Sequence, residues 1–101
     1  GLLKKELSDR PGVAKSGLEA ALQAVYGLQE GVSAETVKET IMSIADAEEA
    51  KGKGGRGAVL WPLRYALSGQ DRSPDPFTLI SVLGPREAAR RIQNALGILN
   101  G

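Results

Sequence analysis

Four of the seven residues from Lys51 to Gly57 are glycine. Each glycine inside a helix costs about 1 kcal/mol relative to alanine, so no helix is predicted to run through this segment. Pro11-Gly12, Gly27, Gly31, Pro62, Gly69, Pro74, Pro76 and Gly84-Pro85 punctuate the rest. Between these breaks the apolar residues recur at helical spacing, and strand-like alternation is nearly absent. A chain cut this way is predicted to fold from short amphipathic helices packed side by side. Its 101 residues suit one small domain. The expected architecture is an all-α bundle of five to six helices around a single core. Aromatic residues are only 4% of the chain, so that core must be built from Leu, Ala, Ile and Val.

Leu2 to Leu7 is predicted to form a short helix, stopped by a turn at Asp9-Arg10-Pro11-Gly12. Leu18, Ala21, Leu22, Val25 and Tyr26 form the stripe of the next helix, and Gly27 and Gly31 bracket its exit. Ser33 is the predicted N-cap of a helix over residues 34–50. Val37, Ile41, Ile44 and Ala45 form its apolar face, and Glu48 and Glu49 its exposed one. Pro62 suits the first position of a helix through Leu67, with Gly69 as its C-terminal cap. Asp75 is the predicted N-cap of a helix that begins at Pro76, carries Phe77, Leu79, Ile80, Val82 and Leu83, and is closed by Gly84. Pro85 opens the last helix. Ala88, Ala89, Ile92, Ala95 and Leu96 line its inner face, with Arg86, Arg90 and Arg91 mostly on the other side.

Composition narrows the chemistry. The chain has no cysteine and no histidine, so it has neither a disulfide framework nor the commonest general base and zinc ligand. Enzyme chemistry is poorly supported, because no carboxylate pair reads as buried and no lysine is placed to activate a serine. No apolar run approaches the roughly 20 residues of a membrane span. Gly52-Lys53-Gly54-Gly55-Arg56-Gly57 matches G-x-G-x-x-G, but an acidic helix precedes it where the dinucleotide fingerprint needs a strand. It reads as a basic linker, or as a loop in which Lys51, Lys53 and Arg56 touch phosphates. Residues 1–50 carry five basic and nine acidic side chains, a net charge of −4; residues 51–101 carry eight and three, a net charge of +5. Such a contrast fits a domain with one face toward a polyanion, or simply two solvated halves.

The run from Lys51 to Leu83 concentrates the candidate binding chemistry. It holds five basic residues, the only Trp and the only Phe. Trp61 and Tyr65 read as core residues, with base stacking as the alternative. Arg64 either satisfies a helix end or an acidic neighbour, or offers its planar fork to a base edge or phosphate. At Ser73-Pro74-Asp75-Pro76-Phe77 two prolines hold the backbone. That turn is either a helix start with Phe77 in the core, or a rigid edge able to read an unstacked base. A protein–protein docking module using the Trp61/Phe77 region is the main non-RNA alternative.

The stretch L-W-P-L-R-Y-A-L-S-G-Q-D-R-S-P-D-P-F-T-L-I-S-V-L-G-P-R-E-A-A-R-R-I, residues 60–92, resembles the end of bacterial-type glutamyl-tRNA synthetases. There P-L-R-x-A-L-[TS]-G is followed by a short loop, [ST]-P-x-x-F and a helix ending L-G-[KP]-x-E. The resemblance is specific over about the last half of the chain and loose over residues 16–50. It implies an anticodon-binding domain of the class I synthetase type. The chain would then be a C-terminal fragment of a larger, cytoplasmic enzyme, and a monomer. The family's H-I-G-H and K-M-S-K-S signatures, and with them the ATP and magnesium sites, belong to a catalytic domain outside this sequence; no cofactor is expected within it. The implied partners are a glutamate-type tRNA anticodon loop and the rest of the synthetase, with no membrane. Carried over, Arg64, Ser73, Pro74, Pro76 and Phe77 would contact the anticodon bases. Lys51, Lys53, Arg56 and Arg72 would add phosphate contacts. Pro76 stands where the family often has an aliphatic residue, and Ser73 where it often has Thr. The Gly-rich basic loop is also richer in Gly and Lys than the family pattern.

Overall fold

The computed structural model describes residues 11–50, 57–68 and 75–100. They form five helices: α1 (Pro11–Tyr26), α2 (Ala34–Ala50), α3 (Gly57–Ser68), α4 (Pro76–Leu83) and α5 (Pro85–Asn100). There is no strand among the described residues. The all-α bundle is therefore the fold, with five helices seen. The predicted Leu2–Leu7 helix and the cap at Gly69 lie outside the described residues.

α1 is the axis of the bundle. It packs most extensively on α3 and α5 and also touches α2, while α4 bridges α2, α3 and α5. The sequence explains this placement. Ala14, Leu18, Ala21, Leu22 and Val25 are all buried and fall at i, i+4, i+7, i+8 and i+11, so one continuous face of α1 enters the core. Val37, Ile41 and Ala45 do the same from α2, Val59, Leu63 and Leu67 from α3, Ile80 from α4, and Ala88, Ile92 and Ala95 from α5. Small and branched aliphatics dominate, as the shortage of aromatics requires.

Four expectations are corrected. The turn at Pro11-Gly12 is instead the beginning of α1. Proline at a first helical position sacrifices only an N–H that has no intrahelical partner, the same arrangement seen at Pro76 and Pro85. Second, α3 begins at Gly57 rather than at Pro62, which lies inside the helix. An interior proline forgoes one backbone hydrogen bond and crowds a carbonyl, at a cost of about 3 kcal/mol. Complete burial of Val59, Pro62 and Leu63 in the same stretch offsets that loss. Third, Tyr26 ends α1 and is 55% exposed rather than part of the core stripe; its hydroxyl accepts a hydrogen bond from Gln93 Nε2. Fourth, Glu48 is buried, not exposed. The series 37, 41, 45 continues at helical spacing to 48, so the core face of α2 ends on an acid. It lines a surface pocket together with Ser16, Glu19 and Gln23 of α1.

Candidate nucleic-acid interface

The turn into α4 is built by its own residues. Asp75 has extended backbone angles, φ −59° and ψ 151°. Its Oδ1 accepts the Thr78 backbone N–H at 2.8 Å, and its Oδ2 accepts the Thr78 hydroxyl at 2.8 Å. These bonds hold the carboxyl below its ordinary pKa, the Thr78 N–H contributing most. Pro76 follows at the first helical position, as the sequence predicts. The Leu79 N–H then closes the first turn onto the Asp75 carbonyl at 3.1 Å. The side chains divide: Asp75 is exposed, Pro76 buried and Phe77 half-buried against the core. The turn thus shows solvent a charged cap and backbone, while its apolar rings face inward.

Arg64 lies on α3. α3 packs directly on α4, and Arg64 is half-buried near the α3 C-terminus. One turn on, the Ser68 hydroxyl donates to the Arg64 carbonyl at 2.8 Å. Trp61 and Tyr65 meet edge to face with ring centroids 5.5 Å apart. Tyr65 is buried and Trp61 half-buried, so the core reading holds for the first, and the second packs at the core's edge. Of the nine sequence-predicted binding residues, Arg64, Pro76 and Phe77 are described and fall on the packed α3–α4 pair. Lys51, Lys53, Arg56, Arg72, Ser73 and Pro74 lie outside the described residues.

Two long-range contacts, Glu30 with Arg86 and Arg91 with Leu67, escaped sequence reasoning. The first is at the α4–α5 junction, the break predicted from the sequence, where Gly84 alone separates the helices. It sits at φ 87° and ψ 150°, a region open essentially to glycine. Its N–H bonds back to the Ile80 carbonyl at 2.9 Å, and its carbonyl accepts the Ala88 N–H at 3.0 Å. Glu30, from the α1–α2 loop, places Oε1 3.3 Å from the Arg86 N–H, a carboxylate at the positive end of α5. The second is on α5 itself. Glu87 accepts from Arg90 Nε at 2.8 Å, Arg90 Nη2 at 2.6 Å and Arg91 Nε at 2.9 Å. The hydrogen bonds from Arg90 and then Arg91 hold its carboxyl at about 2, below its ordinary 4.5. Arg91 Nη1 goes on to the Leu67 carbonyl of α3 at 2.6 Å. The Glu87–Arg91 spacing of four residues was a readable signal; the bond to Leu67 had none.

Among the described residues no carboxylates cluster as a metal site, and no helix is long and apolar enough to cross a membrane. The described residues form a small helical scaffold in which the Asp75-Pro76 helix start and Arg64 sit on two packed helices, α4 and α3. The family model for the anticodon binding domain matches residues 2–96, and the chain belongs to that family. Three relatives show how it is distributed. The glutamate–tRNA ligase of Clostridium novyi is 33% identical over 90 residues, which is 88% of this chain and 18% of that protein. Glutamate–tRNA ligase 1 of Rubrobacter xylanophilus is 37% identical over 86 residues, covering 84% and 19% respectively. The glutamate–tRNA ligase of Carboxydothermus hydrogenoformans reaches 49% over a shorter 43 residues, or 43% of this chain and 9% of that protein. The chain therefore spans less than a fifth of the length of the curated relatives it matches. No solved structure matches it.

Proposed function

We propose that this domain binds the anticodon loop of a glutamate tRNA on behalf of a glutamate–tRNA ligase of which it forms one part. The observation that carries the reading is the anticodon-binding family match over residues 2–96, which takes in the whole α3–α4 corner. Bases of an anticodon loop are single-stranded and can be splayed out, the form in which proteins usually read RNA sequence. In this reading Arg64 and the backbone presented by Ser73, Pro74, Pro76 and Phe77 form the base-reading edge. Asp75 sets the backbone of that edge, and the buried Pro76 and half-buried Phe77 anchor it to the core. Lys51, Lys53, Arg56 and Arg72 hold phosphates and supply affinity without selection. Glutamate activation with ATP and magnesium and transfer to the tRNA then take place in another part of the same enzyme. The expected setting is a monomeric cytoplasmic ligase.

The test is a titration of the labelled chain at low salt with a glutamate-type anticodon stem-loop and with one of changed anticodon, followed by NMR. Shifts centred on Arg64 and residues 73–77, larger for the matched loop, are expected. Equal shifts confined to residues 51–56 for both loops would leave only phosphate binding. Arg64→Ala should weaken the matched loop by about 1–3 kcal/mol and relax discrimination. Lys53→Ala should weaken both loops alike and lower the salt slope.

A further inference from the structure

α3 ends without a basic residue of its own in the last turn. The last four carbonyls of any helix lack intrahelical donors, and the negative end of the helix dipole favours a cation nearby. Here the cation comes from another helix. Arg91 of α5 donates from Nη1 to the Leu67 carbonyl at 2.6 Å, while its Nε is held by Glu87 at 2.9 Å. The planar fork is thus oriented at one corner by Glu87 and spent at another on α3. Glu87 is itself steadied by two bonds from Arg90. Leu67 lies about one turn beyond Arg64, and α3 ends one residue later at Ser68.

The end of α3 is held in two ways. Its side chains pack into the core along the whole helix, with Val59, Pro62, Leu63 and Leu67 all fully buried. Its backbone carries a link to α5 that is polar and partly open: the Arg91 side chain is 36% exposed and that of Glu87 32%. Exposed ion pairs contribute little to global stability. A bond that stabilises little but sets the position of one helix end acts on geometry, and binding constellations are sensitive to such second-layer support.

We propose that Arg91 is a positioning residue for base reading. It ties the C-terminal turn of α3, and with it Arg64, to α5. The proposal rests on the anticodon-binding reading above. It assigns Arg91 no contact with RNA.

The test measures affinity of the 101-residue chain for matched and changed stem-loops by fluorescence anisotropy, with the Leu67 carbonyl carbon shift as a local probe. Arg91→Met keeps the apolar stem and removes the fork. It is expected to weaken the matched loop by up to about tenfold, the lower end of what a displaced base contact costs. The changed loop should stay within about twofold, the salt slope should not move, and the Leu67 carbonyl shift should move. Arg91→Lys restores a cation but not the fork, so it should recover part of the matched-loop affinity. If Arg91→Met does not fold, Arg91→Lys and Glu87→Gln carry the same comparison, with smaller losses confined to the matched loop. Equal loss on both loops with a shallower salt slope would make Arg91 a phosphate contact and overturn the proposal. So would an unchanged ratio of matched to changed affinity in a variant whose parent discriminates. If the parent chain itself binds both loops alike, the anticodon reading fails, and the positioning role falls with it.

Discussion

α4 and α5 start nine residues apart, each with a proline at its first position, yet their N-termini are satisfied in opposite ways. α4 is capped by Asp75, the residue immediately before it, through two 2.8 Å bonds to Thr78. α5 takes its carboxylate from Glu30, 56 residues upstream of the Arg86 N–H it accepts. The first cap is a local device that forms as the helix forms. The second exists only once α1 and α2 have brought their connecting loop against the α4–α5 junction. The turn proposed to face RNA is the one that carries its own cap.

The largest effect is expected at the junction, from Gly84→Ala. The backbone conformation there costs a non-glycine residue about 1–3 kcal/mol. An added Cβ would also lie 2.7 Å from Glu30 Oε2, so Glu30 must give way and loosen its hold on the Arg86 N–H. Chemical denaturation should report a loss in that range. The same substitution in a Glu30→Ala background should cost less, because the steric conflict is gone; equal costs in both backgrounds would dissolve the link between Glu30 and Gly84.

Asp75→Ala comes next, at about 1 kcal/mol, the usual cost of removing an N-cap. Asp75→Asn should recover most of it, since an amide oxygen can accept the same N–H. Glu30→Ala alone is expected to be milder, at about 0.3–1 kcal/mol and screened by salt, because an exposed carboxylate acting at 3.3 Å works mainly through the helix dipole. If Glu30→Ala proves the costlier of the two caps, the contrast between local and imported capping is wrong.

The smallest effect is an acid limb. Glu87 titrates at about 2 in the folded chain against an ordinary 4.5, and Asp75 is also lowered. A carboxyl whose folded pKa is depressed adds stability above its unfolded pKa and loses it as pH falls through the folded one. The thermal midpoint should therefore fall between about pH 4.5 and pH 2. Glu87→Gln should make that limb shallower while leaving the shape of the profile above about pH 5 unchanged.

Much of the fold was legible in sequence because its signals are short-range. The α2 boundaries, the Ser33 cap with its 3.2 Å bond from the Thr36 N–H, the Asp75-Pro76 start and the Gly84-Pro85 break all depend on residues within four positions of one another. Pro11 and Pro62 misled for one shared reason. A proline tells the chain what its own N–H cannot do, but whether a helix starts there or passes through depends on what the neighbouring side chains bury. Glu48 reads as exposed from its charge, but the periodicity of Val37, Ile41 and Ala45 carries it onto the core face.

The proposed site divides along the same line. Arg64, Pro76 and Phe77 could be chosen from their motif, and the structure places them on the packed α3–α4 pair. Glu30 and Arg91 could not be chosen, since nothing near either residue in the sequence names Arg86 or Leu67 as its partner. From residue order alone came the helical class, the apolar faces, the breaks and the self-capped turn, because propensity, periodicity and capping act over one or two turns. Tertiary packing alone decided which helix became the axis, that α3 runs through its proline, and which distant side chains complete the ends of α3 and α5. Those outcomes depend on which surfaces meet, and helix ends left without donors or acceptors of their own are satisfied by whatever the finished core brings within reach.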